Sequence, residues 1–153
     1  MFSDQIEQLL SDVPGFAGVY PSNHIPVVKR RPAAYVINTA PVPDRYGGDH
    51  WVAIILKHSG KGEYFDSFGL PPIEHDIVDF LKTTCYSSIT YSNQMIQSPA
   101  SSACGLYCVD YIRSRLLNHQ SKSQFLSMYK TDFKANDQLV ADRLSCLLFA
   151  QQL

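Results

Sequence analysis

The sequence predicts an α+β fold, a small and mostly antiparallel sheet packed on a central helix. Three observations predict it. Ala33 to Asn38 and Trp51 to Lys57 are short, nearly continuous apolar runs of strand length. A turn at His58 to Gly62 joins the second run to a short strand at Glu63 to Asp66, the pattern of a hairpin. From Ser102 to about Asn118, Cys104, Tyr107, Cys108, Tyr111, Ile112 and Leu116 fall on one helical face, so that helix is central and largely buried.

The remaining elements follow in chain order. Ser3 or Asp4 can cap a helix through Leu10, with Glu7 near the reciprocating position, and Pro14-Gly15 stops it. Residues 20–32 hold Pro21, Pro26 and Pro32 and the run Lys29-Arg30-Arg31, and read as loop; the basic run reads as a solvated patch rather than an import signal. Thr39 to Gly48 carries two prolines and two glycines and is also loop. Pro71-Pro72 opens a helix to about Thr84, with Ile73, Ile77, Phe80 and Leu81 at helical spacing. Ser88 to Ile96 is a fourth strand. Helices are expected near Lys122–Tyr129 and Asn136–Ala150, the latter capped by Asn136 and striped by Val140, Leu144 and Leu147. With no repeat or internal linker, residues 1–153 are expected to form one domain.

Composition excludes several function classes. A net charge of −1 does not by itself recruit nucleic acid or an anionic membrane. No apolar run is long enough to span a bilayer. The start, Met1-Phe2-Ser3-Asp4-Gln5, has no basic region followed by an apolar stretch, so no secretory signal is expected. Cys85, Cys104, Cys108 and Cys146 lack framework spacing and are expected as free thiols in a reducing, intracellular compartment. Cys104 and Cys108 share a helix face, but a metal there would need further ligands that no His or Cys cluster supplies. Neither a metal nor any other cofactor is expected.

What remains is a set of four chemically matched residues. Singly each is weak: a Cys at a helix start is more often a small buried hydrophobe, a lone His more often structural, Asp66 a turn residue and Gln97 an ordinary loop residue. Their placements, however, suit one chemistry. His50 begins a central strand after Gly47-Gly48, a loop open to close approach by substrate, with Trp51 beside it. Antiparallel pairing brings the start of that strand beside the end of its hairpin partner, where Asp66 can fix the imidazole's tautomer and stabilise its charged form. Cys104 opens a helix whose unpaired N–H groups and positive dipole end favour thiolate. The Cys104 N–H and the Gln97 side-chain amide can donate to an oxyanion, and Gly105 removes bulk beside the nucleophile. Asp49 adjoins His50 and would point to the opposite strand face. His24, His58, His75 and His119 have no matching partner, and Cys85, Cys108 and Cys146 read as packing residues. The set predicts a cysteine hydrolase with His50, Asp66, Gln97 and Cys104 as catalytic residues and Gly47, Gly48 and Trp51 against substrate.

The stretches Val36-Ile37-Asn38-Thr39-Ala40, Gly47-Gly48-Asp49-His50-Trp51, Tyr64-Phe65-Asp66-Ser67-Phe68-Gly69 and Gln97 through Cys108 resemble the adenain family, the adenovirus-type maturation cysteine proteases, within a wider clan that includes the SUMO-deconjugating proteases. The resemblance implies a papain-like core with catalytic residues in permuted order, and the same four residues as base, partner, oxyanion donor and nucleophile. It implies an endopeptidase cutting after Gly at small-residue sites in viral or transposon-encoded capsid precursors, within the host cell and the virion. The alternatives are a deconjugase acting on ubiquitin-like Gly-Gly tails and, in another class, an inactive Gly-Gly-tail binding module. Expected partners are polypeptide substrates and a possible activating peptide, on a protein expected to be monomeric and without a membrane role. In adenain that peptide is disulfide-linked upstream of the Gln. The equivalent segment here reads Ser88-Ile89-Thr90, with Cys85 the nearest thiol, so attachment by disulfide is not expected. DNA activation is not expected either, since 13 Lys and Arg face 14 Asp and Glu. The acidic partner is Asp, as in the SUMO proteases, where adenain has Glu.

Overall fold

Strands that are apolar on both faces must be covered on both faces, and this dictates the layering. A computed structural model describes residues 1–40 and 50–152. Strands β1 (Phe16–Pro21), β2 (Ala33–Asn38), β3 (Trp51–Leu56), β4 (Lys61–Phe65) and β5 (Ser88–Tyr91) form a single sheet in sequence order. β3 is buried at every position and β2 at all but its last. On one face lie α1 (Ser3–Leu10), α3 (Cys104–Ile112), α4 (Lys122–Ser127) and α5 (Phe133–Arg143), whose apolar residues pack with Trp51, Ala53, Ile55 and Phe65. On the other, Ile77 and Leu81 of α2 (His75–Thr84) pack with Tyr35, Val52, Ile54 and Tyr64. A short α6 (Ser145–Ala150) follows α5. Among the described residues no helix is long and apolar enough to cross a membrane.

The α+β class, the β3–β4 hairpin and the buried central helix agree with the sequence reading. The three central strands are antiparallel as expected, while both edges pair parallel, β1 with β2 and β4 with β5. β1 falls partly in what reads as loop; Gly18 and Pro21 conceal it, and it is half-buried along its length. Other bounds differ for local reasons. α1 starts after Phe2, whose N–H donates to Gln5 Oε1, so neither Ser3 nor Asp4 is the cap. α2 starts at His75, not at Pro71-Pro72, and Ile73 is exposed rather than part of its stripe. β5 ends at Tyr91. The predicted last helix is two, broken at Leu144. The cap of α5 is Asp132, which accepts from the Ala135 N–H, and Asn136 is buried inside it. Within the basic run only Lys29 and Arg30 are exposed. Arg31 donates to the carbonyls of Lys57 and Thr84 and lies over the Tyr86 ring, 5.3 Å from its centroid.

α3 is buried almost all round, so its polar groups need partners inside the protein. Asp110 accepts from Tyr129 Oη and from the Arg143 guanidinium. Tyr111 Oη donates to Glu63 of β4, which also receives Arg115 Nε at 2.9 Å and Lys57 Nζ at 3.1 Å. Burial pushes the Glu63 carboxyl up, but Arg115, Tyr111 and Lys57 outweigh it and hold it at about 2. The unfolded carboxyl takes up its proton near 4.5, more readily than the folded one. This contribution to stability is therefore full above that pH and drains as pH falls toward about 2. Glu63→Gln is expected to cost on the order of 3 kcal/mol near neutral pH, since it leaves Arg115 without its counter-charge. Melts of both proteins from pH 7 down to pH 3 check this: the gap between them should narrow as acid is added.

Candidate active site

The β3–β4 pairing sets the site. Its residue numbers sum to 118 at each pair, as in Ala53↔Phe65 and Ile54↔Tyr64. Continued past the strand ends, this register puts His50 opposite Phe68 and diagonal to Asp66. The side chains obey it. The His50 and Phe68 rings stack at 4.9 Å, and His50 Nε2 lies 2.8 Å from Asp66 Oδ1. The same carboxylate oxygen accepts the Phe68 N–H at 2.8 Å, forming the turn that Gly69 closes with a left-handed φ of 72°. A Cβ at Gly69 would meet the Gln94 and Met95 backbone at 2.7–2.8 Å, so only glycine fits there. Ser92 Oγ bonds both the N–H and the carbonyl of Asp66.

Cys104 enters from the other side, as the first residue of α3, which packs on β3. Ala103 offers no side-chain cap, so the helix's first N–H groups are left for the thiol. Gly105 permits the close approach: a Cβ there would lie 3.3 Å from the Trp51 ring and 3.1 Å from Met1 Sδ. Burial pushes the Cys104 thiol up, but the His50 hydrogen bond, the Trp51 N–H, the His50 charge and the Gly105 N–H outweigh it and leave it lowered. With Nε2 engaged by Asp66, Nδ1 is the ring nitrogen left to the sulfur. Burial pulls the His50 imidazole down, but its bonds to Asp66 and Cys104 raise it to about 9. The paired directions favour thiolate beside imidazolium.

Gln97 sits in the loop leading to α3, fully buried. Its Nε2 donates to the Ser101 carbonyl at 2.9 Å and contacts Ser101 Oγ at 3.2 Å. Its Oε1 accepts from Ser67 Oγ. Trp51 is buried, with its indole N–H donated to the Met1 carbonyl. Gly47, Gly48 and Asp49 lie outside the described residues. His24 contacts Asn23, and His75 pairs with Asp79 on α2. Cys85 and Cys108 are buried thiols pushed up by that burial. Among the described residues no group of three or more His, Cys, Asp or Glu could hold a metal ion. Sequence reasoning missed the Trp51 backbone N–H, Ser67, Phe68 and Ser92. The Asp-Ser-Phe-Gly turn was the available signal for Ser67 and Phe68; the backbone donor and the distant Ser92 left none.

These environments predict selective labelling. With iodoacetamide at about pH 6, where ordinary thiols are protonated, Cys104 should be carboxamidomethylated ahead of Cys85, Cys108 and Cys146. Peptide mapping by mass spectrometry checks this, and His50→Ala should remove most of the preference.

A family model described as adenovirus endoprotease matches residues 16–133. A protease from Bovine adenovirus C serotype 10 is 27% identical over 129 residues, which are 72% of this chain and 64% of that protein. The chain thus spans under two-thirds of the length of this curated relative. The crystal structure of an ASFV protease superposes with a TM-score of 0.50 and 27% identity, over 72% of this chain and 44% of that one. The Chlamydia trachomatis effector protein Cdu1, solved bound to ubiquitin, superposes with a TM-score of 0.67 and 14% identity, over 99% of this chain and 93% of that one. The last likeness is one of fold alone; with a family match over most of its length, this chain belongs to the adenovirus endoprotease family.

Proposed function

We propose that this chain is a cysteine peptidase with Cys104 as nucleophile, His50 as acid and base, Asp66 as its orienting partner and Gln97 as an oxyanion donor. The observation that carries the reading is geometric: His50 Nε2 lies 2.8 Å from Asp66 Oδ1 while the same ring meets Cys104 at the first residue of α3, a contact that lowers the thiol and raises the imidazole. The thiolate attacks the scissile carbonyl carbon. A C–S bond forms and the carbonyl π pair moves to oxygen, where the Cys104 N–H and the Gln97 amide receive it. His50 Nδ1–H protonates the departing amine as the C–N bond breaks, leaving a thioester. His50 then takes a proton from water, hydroxide adds to the thioester carbon, and the sulfur leaves. Asp66 holds the Nε2 proton throughout.

The substrate we infer is a polypeptide cut after glycine at a small-residue site, in a capsid precursor of a virus or a virus-like element. Family membership supports this. A second reading is a deconjugase of ubiquitin-like Gly-Gly tails, favoured by the fold shared with Cdu1 nearly end to end. Electrophilic probes on a ubiquitin-like tail, set beside precursor peptides, separate the two.

Cys104→Ala should lower turnover by on the order of 10,000-fold or more while the protein still melts cooperatively; turnover near wild type would remove Cys104 from the mechanism. The upper limb of the pH–rate profile should report loss of the His50 proton as pH rises through about 9. Asp66→Asn removes the largest influence raising that pKa, so its limb should move to lower pH. A profile of kcat/KM for both proteins checks the direction.

A further inference from the structure

We propose that Ser67 is a positioning residue for the oxyanion donor, fixing which end of the Gln97 side-chain amide faces the nucleophile. The inference rests on the peptidase reading above and extends it to a residue outside the four.

A glutamine amide has two ends of similar shape and opposite polarity, so its orientation is set by its neighbours. The Ser101 carbonyl can only accept, and it lies 2.9 Å from Nε2; the NH2 end must therefore face Ser101, on the loop that runs into Cys104. That leaves Oε1 at the end turned from Ser101, in a buried setting. There Ser67, with no exposed surface, supplies an O–H that satisfies it. The Ser67 carbonyl also accepts the N–H groups of Ile96 and Gln97, at 2.9 and 3.1 Å. Ser67 thus grips Gln97 by main chain and side chain together. Tyr107 Oη and Asn136 Nδ2 reach the Ile96 carbonyl, so the main chain leading into Gln97 is fixed and the terminus of its side chain is what Ser67 decides.

The chain position has a consequence. Asp66 orients the imidazole and the next residue orients the oxyanion donor, so one turn at the exit of β4 would set both proton transfer and charge stabilisation. Removing the Ser67 hydroxyl leaves Oε1 buried without a donor. Turning the amide over does not help, because it sets two carbonyls against each other at Ser101.

The test is a double-mutant cycle on the full chain, with a fluorogenic peptide carrying a Gly-Gly cleavage site. Gln97→Ala should lower kcat by about 100-fold, and Ser67→Ala by about 10-fold or more with KM little changed. The double variant should be no slower than Gln97→Ala alone, because Ser67 acts only through Gln97. Iodoacetamide labelling of Cys104 should keep its wild-type rate and pH profile in Ser67→Ala, showing the thiol–imidazole pair intact. Ser67→Cys, which keeps the bulk but donates weakly, should give the same pattern if Ser67→Ala packs poorly. Additive losses in the double variant, or collapse of Cys104 labelling in both Ser67 variants, would overturn the proposal by showing a general structural role. A wild-type kcat in Ser67→Ala with an impaired Gln97→Ala would also overturn it while sparing the peptidase reading. Full activity in Gln97→Ala would instead remove the oxyanion assignment itself.

Discussion

The register of the β3–β4 hairpin is the constraint on which the site depends. Because each pair sums to the same number, the first residue before β3 and the first after β4 have no freedom relative to each other. His50 meets Phe68 face to face and Asp66 on the diagonal for that reason. A slip of one residue would turn Asp66 to the opposite side and leave the imidazole without a carboxylate. The buried alternation of β3 and β4, with Phe65 on one face and Tyr64 on the other, opposes such a slip over the whole hairpin. Register here is a property of the core, and the His50–Asp66 contact inherits it.

Cys104 arrives from a different element, so a second constraint must relate helix to sheet. α3 is seated on β3 where Gly105 meets the Trp51 ring, and anchored further along by polar groups in the interior. Glu63 ties β4 to Tyr111 and to Arg115, in the π-helical turn at 113–117 that extends α3. Asp110 ties α3 to Tyr129 and to Arg143 at the end of α5. Tyr107 ties it to Asp137. Buried ion pairs of this sort contribute little net stability against an apolar core of the same shape, because desolvation offsets attraction. Their directional requirement is another matter. They are satisfied in one placement of α3, which makes them devices for position more than for strength.

How much of this was legible in the sequence follows from the type of signal each feature leaves. β2 was readable to the residue, because Ala33 to Ile37 is continuously apolar and Asn38 ends the run before a loop. β1 was not, since Gly18 and Pro21 punctuate it and a parallel edge leaves no hairpin turn to read. Leu144 has the right spacing for a continuous last helix, yet the chain bends there, and Asn136 is drawn inside to reach the Ile96 and Lys130 carbonyls. Tertiary hydrogen bonds outvoted a local capping preference at that point. At the site, His50, Asp66 and Cys104 could be picked out because each carries a side chain whose chemistry is its own signal. The Trp51 N–H that faces the thiol carries none, since every non-proline residue has one. Ser67 stood within a motif already noted, but nothing local says that its hydroxyl points at a glutamine 30 residues away.

Two opposed influences meet at Cys104, and their balance links packing to reactivity. The thiol is nearly buried, and burial alone would make it a poorer nucleophile than a cysteine in water. The same burial strengthens every donor directed at the sulfur, because there is little solvent to compete with them. The outcome therefore turns on geometry: with His50, the Trp51 N–H and the Gly105 N–H in place the thiol is lowered, and with them displaced the penalty of burial stands alone. Cys108, one turn along the same helix and fully buried, shows that second case, its thiol pushed well up by burial and then by the charges of Cys104 and Asp66. Two cysteines on one helix thus differ in chemistry because only one stands at the junction where helix start, strand start and hairpin exit converge. A thiol lowered in this way reports on that junction, since its donors come from the start of β3 and the start of α3 together.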